Sequence, residues 1–165
     1  MKESSAKIVV EGLKEAGIDH IVCLPESMLV PIYSMLREDP FFKFIFVTNE
    51  GEGASICGGL WLGGKKAVLI MENSGLRMAC EALARLGMTN SIPVLMIMCP
   101  RGEIGEVNWW GIPHTLTMEP VLKALRIPYV TVRKDEEVKD VLKKSIRHIT
   151  TSLYHVAIIL SGDLI

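Results

Sequence analysis

Apolar and polar positions along the chain fall into two kinds of block, short apolar runs and longer stretches with helical spacing. Ile8, Val9, Leu13 and Ala16 share one face of a helix that Ser4 or Ser5 can cap and Gly17 can stop. His20 to Leu24 predicts a short strand and Pro25-Glu26-Ser27 a loop. Pro31, Ile32, Met35 and Leu36 then predict a second helix that ends before Asp39-Pro40. Phe42 to Val47 reads as a buried strand. It hands over to Asn49-Glu50-Gly51-Glu52-Gly53-Ala54, the start of a helix whose small residues, with Gly58 and Gly59, suit close packing against neighbouring backbone. Gly63-Gly64-Lys65-Lys66 turns the chain into Ala67 to Met71, too uniformly apolar for a half-exposed strand and therefore expected at the centre of a parallel sheet. Glu72-Asn73-Ser74-Gly75 follows. Beyond it the pattern predicts a helix from Leu76 to Leu86, with Met78, Ala79, Ala82, Leu83 and Leu86 on one side, and a buried strand from Pro93 to Cys99.

The periodicity lapses from Arg101 to His114, which predicts a long irregular connection of the kind that carries function. A helix near Met118 to Leu125, a strand from Tyr129 to Val132, a helix from Asp135 to Ile149 and a strand from His155 to Leu160 complete the pattern. Strands alternating with helices predict an α/β fold, a doubly wound and mainly parallel six-stranded sheet with helices on both faces, as one domain over 1–165. Each polar cluster then follows the carboxyl end of a strand: Glu26-Ser27, Asn49-Glu50, Asn73-Ser74-Gly75 and Arg101 to His114. Sheets of this class bind ligands at that rim.

Composition narrows the partners. With 165 residues and 49% hydrophobic content the chain can bury one core, and 18 Lys and Arg against 19 Asp and Glu leave no overall field for nucleic acid or an anionic membrane. No apolar run reaches the ~20 residues of a membrane span. Cys23, Cys57, Cys80 and Cys99 lack metal-ligand spacing and read as reduced core residues of a cytoplasmic protein with no metal site of its own. Gly51-x-Gly53 with Gly58 imitates a dinucleotide fingerprint, but the third glycine is misplaced and a glutamate inside it would repel pyrophosphate. Glu50 and Glu52 read either as ligand groups or as a complement to the helix dipole, and Ser27 as a contact or a helix cap. Arg101 and His114 fit an anionic ligand or a plain surface, and Trp109 and Trp110 a lid or an interface.

Asn49-Glu50-Gly51-Glu52 followed by Gly58-Gly59, then Lys65 to Gly75, Leu24-Pro25-Glu26-Ser27, Arg101-Gly102-Glu103 and Arg126-Ile127-Pro128-Tyr129 give the chain a family likeness. It resembles the pyrimidine-binding domain of thiamine-diphosphate-dependent 2-oxo acid decarboxylases, and most nearly the α-subunits of the sulfopyruvate and phosphonopyruvate type. The resemblance implies that Glu50 hydrogen-bonds ring nitrogen N1′ of the aminopyrimidine and promotes the form that takes the thiazolium C2 proton, after which the 2-oxo acid loses CO2 and leaves as an aldehyde. Many relatives carry an acid where Gly58 stands. The resemblance further implies Asn73, Ser74 and Gly75 beside the cofactor and Ser27, Arg101 and His114 at the substrate, a small anionic 2-oxo acid. The family's diphosphate and Mg2+ site, a Gly-Asp-Gly segment with a later asparagine, has no counterpart between Met1 and Ile165. A β-type partner subunit is therefore expected to carry it, with homo-oligomer contacts besides and Trp109 or Trp110 covered at an interface. The alternative is a non-catalytic regulatory or assembly module that keeps the fold.

Overall fold

The computed structural model describes residues 1–165 with the exception of Asp163. In chain order the elements are α1 (Glu3–Glu15), β1 (His20–Cys23), α2 (Val30–Glu38), β2 (Lys43–Phe46), α3 (Glu50–Leu62), β3 (Ala67–Glu72), α4 (Gly75–Leu83), β4 (Leu95–Cys99), α5 (Ile112–Ala124), β5 (Tyr129–Val132), α6 (Asp135–Ser152) and β6 (Val156–Leu160). The strands form one all-parallel sheet in the order β2-β1-β3-β4-β6-β5. From β1 the chain leaves towards one edge and from β3 towards the other, so a crevice opens above their carboxyl ends.

Alternate residues of each central strand point to opposite faces. On one face α1, α2 and α6 bury Leu13, Ile32, Leu36 and Leu142 against Ile21, Val68, Ile70 and Ile97. On the other, α3, α4 and α5 bury Cys57, Leu76, Leu83 and Leu122 against Val22, Leu69, Met71 and Met96. The small residues of α3 serve this second layer. A Cβ at Gly53 would meet Leu69 at 2.6 Å and one at Gly58 would meet Leu86 at 2.7 Å. Among the described residues no helix is long and apolar enough to cross a membrane.

Four expectations change. β2 is an edge strand with Phe46 half exposed, not a buried one; its apolar run covers the edge through Phe44 and Phe46, with ring centroids 4.8 Å apart, and Arg37 stacks 5.4 Å over Phe46. No serine caps α1, which starts behind Lys2 and buries Ser5. Met78 faces solvent, because Leu76, Ala79 and Leu83 form the buried stripe of α4, and the chain beyond Leu83 widens into a π-helical turn over Ala84–Thr89. The irregular connection is shorter than predicted. Pro113 occupies the first turn of α5, where its missing N–H is no loss, and a 3-10 turn over Trp109–Gly111 leads in, so His114 stands on a helix.

Candidate active site

Strand β2 passes into α3 through Thr48 and Asn49. Asn49 accepts a hydrogen bond from the Glu52 N–H at 2.9 Å, and the Glu52 carboxylate accepts from the Thr48 N–H at 2.7 Å and from its hydroxyl at 2.8 Å. This is a capping exchange displaced one residue outward. The bonds from Thr48 hold the Glu52 carboxyl below the usual carboxylate range. Glu50 differs. It is 9% exposed, and its carboxylate joins none of the hydrogen bonds or ion pairs among the described residues. Its side chain lies over Gly75, where a Cβ would stand 2.3 Å from Glu50 Cγ and 2.4 Å from Oε1. The first turns of α3 and α4 thus meet around one unpartnered carboxylate.

Asn73 ties the end of β3 to the end of β4. Its Nδ2 donates to the Arg101 carbonyl and its Oδ1 accepts from the Arg101 N–H, both at 3.0 Å, with the amide buried. The Arg101 side chain then crosses the rim. Nη2 donates to Ser27 Oγ at 2.7 Å, Nη1 stands 3.9 Å from Glu106, and the guanidinium lies 5.2 Å over the Trp110 ring. Buried Nε has no hydrogen-bond acceptor among the described residues, with Glu72 Oε2 at 3.6 Å. The other oxygen of Glu72 faces His114 Nε2 at 3.7 Å.

The connection after β4 is tied down as well. Glu106 accepts from the Asn108 N–H at 3.0 Å and the Gly102 N–H at 3.2 Å, bonds that hold its carboxyl low, and Thr115 Oγ1 donates to the Arg101 carbonyl. Gly102, at φ +88°, has no space for a side chain, since a Cβ would stand 2.3 Å from the Gly111 carbonyl oxygen. Only glycine tolerates both conditions.

Residues 4–119 match the model of the thiamine pyrophosphate enzyme N-terminal TPP binding domain. The chain belongs to that family. It is 30% identical over 159 residues to a sulfopyruvate decarboxylase subunit alpha of Methanococcus maripaludis, covering 96% of this chain and 95% of that protein. To the subunit of the same name from Methanothermobacter thermautotrophicus it is 34% identical over 140 residues, 85% of each chain. A phosphonopyruvate decarboxylase of Streptomyces viridochromogenes is 36% identical over 98 residues, 59% of this chain and 25% of that protein. A 2-oxoglutarate:ferredoxin oxidoreductase of Magnetococcus marinus superposes with a TM-score of 0.78 at 15% identity, over 97% of this chain and 29% of that one, which shows the shared fold. The relatives make this a family of thiamine-pyrophosphate-dependent decarboxylases.

Within this domain of the family, the structure bonds Ser27 to Arg101, sets Arg101 and His114 opposite the two oxygens of Glu72, and packs Glu50 on Gly75. Asn73 has both ends of its amide engaged by Arg101, and Ser74 makes no side-chain cap bond to α4. Glu72, Arg77, Glu106 and Thr115 belong to the site without having been singled out in the sequence. Glu106 has a signal, a carboxylate between Gly102, Gly105 and Gly111. Arg77 has none, since 37 residues separate it from the His114 ring that it touches.

Proposed function

We propose that this chain is the α-type subunit of a two-component thiamine-diphosphate-dependent 2-oxo acid decarboxylase, its residues 1–165 forming one pyrimidine-binding domain. The substrate is sulfopyruvate or a similar anionic 3-substituted pyruvate, converted to an aldehyde and CO2. The observation that carries this reading is Glu50, a buried carboxylate on the ligand-binding rim that no group of its own chain satisfies. Such a group fits the N1′ side of an aminopyrimidine, and Gly75 leaves it the space to stand there. When bound, the cofactor supplies the electron sink for loss of CO2. Glu50 would hydrogen-bond N1′ of the bound cofactor and exchange a proton there, and the Asn73-Ser74-Gly75 turn would line the cofactor's side of the rim. Ser27, Arg101 and His114 bind the anionic ends of the substrate, and Arg101 Nε offers a buried donor without an acceptor.

Diphosphate and Mg2+ belong to a β-type partner in this scheme. Three relatives carry the name subunit alpha, while the matched segment is 25% of the phosphonopyruvate decarboxylase. The test measures CO2 release from sulfopyruvate, phosphonopyruvate and pyruvate with thiamine diphosphate and Mg2+, by the chain alone and with its candidate β-type partner. Release should need both chains and favour the substrates with a second anionic group. No release from any of the three by the assembled pair would leave a non-catalytic module as the better reading.

A further inference from the structure

Arg77, on the third residue of α4, has no carboxylate partner among the described ion pairs. It reaches across to the start of α5 instead. Nη1 donates to Thr117 Oγ1 at 3.2 Å and to the Pro113 carbonyl at 3.4 Å, and Nη2 stands 2.8 Å from His114 Nδ1. Three neutral acceptors on one helix turn therefore hold the guanidinium. An arginine in a protein keeps its proton and offers only donors. At 2.8 Å the Nδ1 atom of His114 must then be the acceptor, and its ring proton must sit on Nε2.

We propose that Arg77 is a positioning residue of the rim that holds His114 as a neutral imidazole with its proton on Nε2. The proton-bearing nitrogen faces Glu72 Oε1 at 3.7 Å, beyond hydrogen-bond reach. The Arg101 Nε donor faces the other Glu72 oxygen at 3.6 Å. The two donors thus face the two oxygens of Glu72 at the edge where the substrate's anionic group is placed by the function proposed above, on which the kinetic part of this inference rests. Groups facing the imidazole are Arg77, Glu72 and the Trp110 ring, whose centroid is 6.0 Å away. A fixed tautomer gives the rim a neutral donor of set direction and adds no charge that Glu72 would neutralise.

The test uses the full chain labelled with 15N at histidine, with the His114 signals assigned by their loss in His114→Asn. Long-range proton–nitrogen correlation should show an unprotonated Nδ1 and a protonated Nε2 in the wild type. In Arg77→Met the single tautomer should give way to a mixture, and Arg77→Lys, which restores a cationic donor, should recover it; unchanged His155 signals report intact folding. A wild-type ring protonated on Nδ1, or an Arg77→Met spectrum identical to wild type, overturns the proposal. In the assembled enzyme Arg77→Met should raise KM for sulfopyruvate about tenfold and leave kcat within about twofold, the pattern of lost binding. An equal fall in kcat overturns the positioning role. If the wild-type pair releases no CO2, the decarboxylase reading fails while the nitrogen spectra still decide the role of Arg77.

Discussion

Replacing Glu50 with glutamine keeps the side chain's shape and its fit over Gly75 but removes the exchangeable carboxyl proton. Glu50→Gln should therefore lower decarboxylation by the assembled enzyme ~10²-fold or more while leaving circular dichroism and assembly unchanged. Glu52→Gln should do the reverse, lowering the thermal midpoint because Thr48 loses its charged acceptor, with turnover near wild type. Near-normal turnover in Glu50→Gln beside an inactive Glu52→Gln would show that the two roles had been exchanged. Gly75→Ala tests the space rather than the acid. Its methyl would stand 2.3 Å from Glu50 Cγ, so Glu50 must move, and activity should fall with an overpacking cost of about 1–3 kcal/mol in urea unfolding. At this scale the strand-to-helix hand-over put both Glu50 and Glu52 at the rim in the sequence, and only the family resemblance singled out Glu50. The sequence did not show Glu72 bridging Arg101 and His114, a meeting that depends on how β3, β4 and α5 stack.

The turn between α4 and β4 gathers around His155. Its Nδ1 accepts from the Val94 N–H and its Nε2 donates to the Leu83 carbonyl, both at 2.9 Å, and Gly87 passes so close that a Cβ would stand 2.3 Å from Nε2. Burial pushes the pKa of this fully buried ring below its ordinary value. The unfolded chain then binds a proton that the folded chain refuses, so stability is complete above about pH 6.5 and declines as the pH falls towards the folded pKa. The urea midpoint should fall between about pH 7 and pH 5, ahead of the carboxylates whose pKa values the fold lowers, which act below about pH 4.5. His155→Gln should flatten that slope; an unchanged slope would assign it to other groups. Element order and parallel pairing were legible because Ala67 to Met71 of β3 and all of β4 are apolar, as strands covered on both faces must be. The errors lie where one residue type fits two structures. The phenylalanines of β2 suit an edge as well as a core, and Pro113 disguises the start of α5, ahead of Met118, as part of the irregular stretch.

Across the whole molecule, apolar side chains left in solvent concentrate where the rim ends. Ile104, Val107 and Trp109 project from the connection after β4, Leu116 stands on α5 and Met78 on α4, all more than half exposed, with Trp110 at 42%. Isolated exposed apolar residues are ordinary, but this many on adjoining segments beside the rim form the surface that the second subunit proposed above would cover. Gly53 and Gly58 of α3 do not supply that contact, since Leu69 and Leu86 already fill the space there, whereas Gly59 has nothing within 4 Å. Burial of this surface should therefore centre on the tryptophans, and a specific association should cover more than ~1,000 Å². Light scattering should find at least a dimer for the chain alone and a larger hetero-oligomer with the β-type partner. Tryptophan emission should shift to the blue on assembly, dominated by Trp109 because Trp61 is already packed against the core. Trp109→Ala should weaken association by ~2 kcal/mol, about thirtyfold in Kd, the cost of truncating an aromatic anchor at an interface centre. A monomer that neither recruits the partner nor changes its emission would show that this apolar surface stays in water and that the rim is not completed by a second chain.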